Sequence, residues 1–282
     1  MLLLAACDGN TDPDNCTGST GSAESVSAPA ANGAASASGS PEAEADTGSC
    51  ESGSLTDSDD PCVIATAAQL QGISAEPEGH YVLESDLDAA ETADWNDGAG
   101  FEPIQNFRGT FDGHDHTISG LHISRPDLRF TGLFGFMNGD AQIRNLHLTD
   151  ADIHGGTHVG IAVGQIRGSV DNVHVAGTVS AEEGFAGGLA GSLTGGSLRG
   201  SSARAAVTGE ENVGGLVGKT DPATVVSDSW SNSEVTGSTR VGGLTGSHGG
   251  SELSRSYSIS TVTATHDDPF AGGIAGELNP EA

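Results

Sequence analysis

Six short glycine-closed motifs recur along the last two thirds of the sequence: GLFG ends at Gly135, VGIAVG at Gly164, AGGLAG at Gly191, VGGLVG at Gly218, VGGLTG at Gly246 and AGGIAG at Gly276. The intervals between these glycines are 29, 27, 27, 28 and 30 residues. Such a regular period restricts the chain to a repeat architecture, in which each unit buries its apolar face only because a neighbour covers it. Within each period a second signature alternates apolar and polar residues, as in IRNLHLTDADI from Ile143, VDNVHVAGTV from Val170 and LSRSYSISTV from Leu253. Alternation with period two marks a strand with one buried face. Polar Gly, Asn and Asp clusters separate these strands, and no stretch is long and apolar enough for a crossover helix. The expected fold is all-β: a parallel β-solenoid (β-helix) of about six coils with a period of 27–30 residues. Successive coils should stack about 4.8 Å apart. The repeat glycines are expected to supply corners of positive φ, and small Ala, Gly and Ser residues to fit a narrow interior.

Charge divides the 282 residues unevenly. Residues 1–100 carry 19 carboxylates and no Lys or Arg, whereas 101–282 carry 20 carboxylates and all 10 basic residues. The net charge of −29 makes nucleic acid and anionic membrane surfaces poor electrostatic partners. Residues 8–60 are built almost wholly of Asp, Gly, Ser, Ala, Thr, Glu, Pro and Asn, a composition that cannot offset the entropy of ordering and predicts a disordered acidic linker. Order begins near Cys62, where CVIATAAQLQGI reads as a strand and a short helix and HYVLESDLD as another strand. Residues 61–100 are read as an N-terminal capping segment and 101–282 as the repeat solenoid.

The opening MLLLAAC is apolar up to Cys7 and turns polar at Asp8. Leu4, Ala5, Ala6 and Cys7 resemble the lipobox of bacterial lipoprotein signal peptides, with residues 1–7 as a signal remnant whose true start lies upstream of Met1. That resemblance implies acylation of Cys7, export, and contact with a membrane only through the lipid anchor. In an exported protein Cys50 and Cys62 are candidates for a disulfide, leaving Cys16 free or paired across chains.

VGGLVG at 213–218, followed by a strand ending in Glu234, Val235, Thr236 and Gly237, resembles the GLUG repeat of bacterial cell-surface proteins and of regions of IgA-specific metallopeptidases. The flank from His80 to Ile123 is similar to the segment that often opens such arrays, so the resemblance covers about 63–276. It implies an adhesin-like, non-enzymatic scaffold of the cell envelope, exposed to the periplasm or the cell surface, whose partners are extracellular glycans or proteins. It brings no catalytic residues. The zinc helix HExxH that a metallopeptidase of that kind needs does not occur in the sequence.

Three further features bear on chemistry. LHI at 121–123, LHL at 146–148 and VHV at 173–175 place His122, His147 and His174 at matching positions of successive repeats, and the same register continues through Ser202, Trp230 and Tyr257. Alternation turns each of these outward, predicting a surface ladder that either stacks, offers Trp230 and Tyr257 to a sugar or protein side chain, or shares a zinc ion among its histidines. Asp112, Asp115, Asp150, Asp152 and Asp171 have the residue type of a polysaccharide-active β-helix enzyme, with turn formation as the competing reading. The segment GTFDGHDHTISG has an Asp-rich corner of the type that suits calcium, but lacks the nonapeptide pattern of a specific calcium repeat. No cofactor is otherwise implied.

Overall fold

A computed structural model describes residues 61–267 and 269–278. Cys7, Cys16, Cys50, the acidic linker and the lipobox lie outside the described residues. The described chain is a parallel β-solenoid of about seven turns. Each repeat contributes to three parallel sheets. One is a long sheet whose main path runs through eight strands, from Cys62–Ile64 to Glu252–Ser254. The other two are short, with six strands each, one from Phe130–Thr131 to Ala271–Gly272 and the other from Phe134–Phe136 to Ala275–Leu278. The six glycine motifs thus generate the short sheets. The long sheet runs two rungs further towards the N-terminus, through His80–Leu83 and Cys62–Ile64.

The strand Gln142–Gly155 shows how the pattern becomes structure: Ile143, Leu146, Leu148, Ala151 and Ile153 are buried, and the residues between them face outward. Once per coil this long side bends at a residue of left-handed backbone: Asn145 (φ 50°), Asn172 (φ 56°), Gly200 (φ 58°), Asp228 (φ 53°) and Arg255 (φ 48°). Asn and Asp tolerate that region better than most side chains.

None of the six motif-closing glycines has positive φ, so they do not act as the expected corners. Their role is close approach. A Cβ on Gly164 would lie 2.5 Å from the carbonyl oxygen of Gly135, and one on Gly218 would lie 2.5 Å from that of Gly191. Between the motif glycines Leu133, Ile161, Leu189, Leu216 and Leu244 are at most 1% exposed. Ile274, in the last described coil, is 39% exposed.

The core changes character along the axis. Phe101, Phe107, Phe111 and Phe134 fill the first coils, and the helix Ala67–Gly72 buries Leu70 against them, started by a reciprocal Thr66–Gln69 capping box. Towards the C-terminus serines join the smaller aliphatic residues Val226, Val235, Val241 and Leu244 at inward positions. Ser201, Ser229 and Ser256 each accept a hydrogen bond from a backbone N–H of the preceding coil, those of Val173, Ser201 and Ser229 (3.1, 3.1 and 3.2 Å). Ser233 and Ser260 do the same for Ala205 and Ser233 (3.1 and 3.0 Å). These hydroxyls satisfy donors where the bend interrupts the ladder.

Candidate functional site

The outer face of the long sheet carries the ladder. His147 pairs with His174, His174 with Ser202, Ser202 with Trp230, and Trp230 with Tyr257. His122 does not belong to it. The rung preceding His147 is Thr117, and His122 lies opposite Asp152, one ladder further along the strand. The cause is that two short segments of that coil, HTI at 116–118 and LHI at 121–123, lie on this side, and it is the first that is in register with LHL.

The ladder divides into two chemistries. The rings of His147 and His174 lie 5.1 Å apart and tilted by 35°. His174 spends both nitrogens on neighbours, Nδ1 with Ser202 Oγ (2.8 Å) and Nε2 with Asn172 Oδ1 (3.0 Å). An amide oxygen only accepts, so Nε2 carries the proton and Nδ1 accepts from the serine, leaving no lone pair for a metal. Burial, and then the neighbouring His147, hold His174 below the usual histidine range. Among the described residues no group of three His, Cys, Asp or Glu is arranged to hold a metal ion. The proposed zinc set His122, His147 and His174 is therefore not brought together. The distal half is aromatic: Trp230 and Tyr257 stack with centroids 6.1 Å apart and planes 8° from parallel, and the Arg204 guanidinium lies 5.0 Å above the indole. Tyr257 is 52% exposed.

Beside the ladder runs a polar network that the residue types alone did not reveal. Asp112 accepts hydrogen bonds from the backbone N–H of His114 (3.0 Å), from Asn145 Nδ2 (3.0 Å) and from Arg144 Nε (2.7 Å). Asn172 Nδ2 donates to Asn145 Oδ1 and to Asp115 Oδ1, both at 3.0 Å. Burial alone would raise the Asp112 carboxyl, but these donors outweigh it and hold it below the usual carboxylate range. Asp150 has left-handed backbone (φ 53°) where the strand bulges, and Asp152 accepts from Thr178 Oγ1 (2.6 Å) and faces His122 Nδ1 (3.2 Å). Asp171 lies in register with Arg144 and Arg199. Cys62 is disulfide-bonded.

Sequence reasoning missed a second column, on the outer faces of the short sheets. His158 lies between Phe130 and Phe185 at centroid distances of 4.9 and 4.7 Å, and Phe136 adjoins Phe130 at 5.5 Å. Around the rings stand Arg129, Arg167 and Lys219. His158 is 7% exposed and pushed down to about 4, by burial first and then by the charges of Arg129 and Lys219. A cleft of about 410 Å³, lined in part by Glu102, Gln105, Arg125 and Leu128, opens beside it.

No family model matches the sequence. The chain is 35% identical over 181 residues to Halomucin of Haloquadratum walsbyi, a match covering 60% of this chain and 2% of that protein. It is 35% identical over 126 residues to a Gly-rich protein of Evansella cellulosilytica provisionally described as a membrane protein, covering 42% of this chain and 14% of the relative. The chain thus corresponds to a small part of each. A solved Bacteroides ovatus structure, provisionally described as an immunoglobulin A1 protease, superposes with a TM-score of 0.60 at 20% identity, over 72% of this chain and 67% of that one. At that identity the likeness is one of fold, and it defines the described residues as a β-solenoid scaffold.

Proposed function

We propose that the chain is a non-catalytic GLUG-type scaffold of the bacterial envelope, anchored through acylated Cys7, that binds glycan or protein ligands on the outer face of its long sheet. The observation that carries this reading is the Trp230–Tyr257 stack, held by Arg204 and half open to solvent. Paired aromatic rings on a rigid sheet present a large contact area at little entropic cost. The names of the two relatives, Halomucin and a Gly-rich protein provisionally described as a membrane protein, support an envelope location, and the fold shared with the Bacteroides ovatus protein supports a scaffold. No helix among the described residues is long and apolar enough to cross a membrane. An enzymatic reading is less well supported, because Asp112, Asp150 and Asp152 are engaged in a side-chain network, a bulge and lateral hydrogen bonds. Two measurements test the proposal. Mass spectrometry of the protein from its native membrane should find acyl chains on Cys7. A glycan and mucin array should show binding that Trp230→Ala removes while melting stays unchanged; an array signal untouched by Trp230→Ala, or turnover of an array glycan, would overturn it.

A further inference from the structure

The second column, on the outer faces of the short sheets, carries two arginines that lie over neighbouring phenylalanine rings. The chain has 10 Lys and Arg against 39 Asp and Glu. Arg108, Arg144, Lys219, Arg240 and Arg255 are ion-paired. Arg125, Arg199 and Arg204 form no ion pair among the described residues, and neither do Arg129 and Arg167. The last two guanidinium groups each lie over a phenylalanine ring, Arg129 at 4.8 Å from the Phe130 centroid and Arg167 at 5.4 Å from that of Phe136, and the two rings are neighbours. Lying over a ring orders the guanidinium and leaves its N–H donors free to bond in the guanidinium plane. Arg167 is further steadied by Nε donating to Thr194 Oγ1 (3.4 Å). Two ordered, unpaired forks side by side form a receptor for oxyanions. The low pKa of the neighbouring His158 agrees with a locally positive field in an otherwise acidic molecule.

We propose that Arg129 and Arg167, held on Phe130 and Phe136, bind successive carboxylate or sulfate groups of an acidic glycan chain. The site lies on different sheets from the Trp230–Tyr257 stack and is independent of it. Charge density selects the ligand. DNA carries one negative charge per roughly 1.7 Å of helix, and a chain of net charge −29 repels it over its whole length. A glycan with one charge per sugar or two meets that repulsion more sparsely, so two local cations suffice. The strip is an open surface along the coils rather than an enclosed cavity, which suits a polymer whose repeated weak contacts add.

Isothermal titration of the full chain with polygalacturonate and with kappa-carrageenan, which carries one sulfate per two sugars, using neutral dextran as control, tests the proposal and distinguishes carboxylate from sulfate. Binding to either polymer is expected, weakening with salt. Arg129→Gln and Arg167→Gln should each reduce affinity about tenfold, the size of a lost charge-assisted hydrogen bond. Arg167→Lys should lose part of it, and Arg108→Gln none. Failure of both polymers to bind would overturn the proposal. So would a double Arg129→Gln/Arg167→Gln variant that melts and binds like the parent, an equal loss in Arg108→Gln, or arginine-dependent binding of a DNA duplex as tight as that of the glycan.

Discussion

Replacing Gly218 with alanine adds one methyl group where the solenoid has no room for it. The new Cβ would stand 2.5 Å from the Gly191 carbonyl oxygen, 2.8 Å from that of Asn212 and 2.9 Å from the Ala186 nitrogen. Carbon contacts are comfortable at about 3.5–4.0 Å, so each must open by the better part of an ångström. All three neighbours are backbone, fixed in ladders to the coils before and after, and none can rotate aside. Overpacking costs about 1–3 kcal/mol, and three simultaneous backbone contacts put Gly218→Ala at the upper end, about 3 kcal/mol. For a domain of this size that lowers the melting temperature by roughly 6–12 °C. Gly139 provides the matched control: it has ordinary φ and nothing within 4 Å of the place its new methyl group would take, so the same substitution should stabilise by about 0.4–1 kcal/mol through the unfolded chain. Circular dichroism melts of the two variants and the parent decide the matter. If Gly218→Ala melts within a degree or two of the parent, or Gly139→Ala falls as far, close approach is not why the motif ends in glycine.

Two predictions concern pH. The folded His158 titrates near 4, below its unfolded value of about 6.5, so protonation favours the unfolded chain; its contribution is complete above pH 6.5 and falls by roughly 3 kcal/mol as pH drops towards 4. Urea midpoints of His158→Gln should therefore be flatter than the parent's across that window, and parallel curves would remove histidine as the cause. The Asp112 carboxyl is also depressed, so its stabilisation is present above about pH 4 and is lost as pH falls through the lower folded value. Asp112→Asn should cost about 1–2 kcal/mol at pH 7 and progressively less as pH falls below about 4; a pH-independent cost would contradict this account.

The period and the alternation made the solenoid legible in the sequence, because both follow from the geometry that stacks one coil on the next. The ladder from His147 to Tyr257 was legible for the same reason: within those coils the strand length is nearly constant, so an interval of 27 or 28 residues maps one rung to the next. His122 escaped because a triplet such as LHI fixes which face a side chain takes, not which rung it occupies, and the first repeat places two triplets on one side of the coil. The glycines identified the motif but suggested the wrong physics. Glycine serves both unusual φ and tight contact, and only backbone neighbours from other coils separate the two. The Phe130, His158 and Phe185 column was missed because the strands that hold it are two or three residues long and cannot display alternation. A signal was available: His158, Phe185, Asn212, Arg240 and Phe270 each stand six residues before a motif-closing glycine.

The passage from a phenylalanine core to one of serines and smaller aliphatic residues sets a direction to failure. Withdrawing a buried Phe side chain from its coil forfeits up to about 3 kcal/mol, whereas breaking a serine-to-backbone hydrogen bond forfeits about 1. Coils in a solenoid hold mainly to their neighbours, so strain or heat need not melt the whole stack together. Turns around Ser256 and Ser260 would peel away first, while those around Phe107 and Phe134 stay wound. Under tension such coils would lengthen in small increments, the turns around Ser256 and Ser260 giving way before those around Phe107 and Phe134.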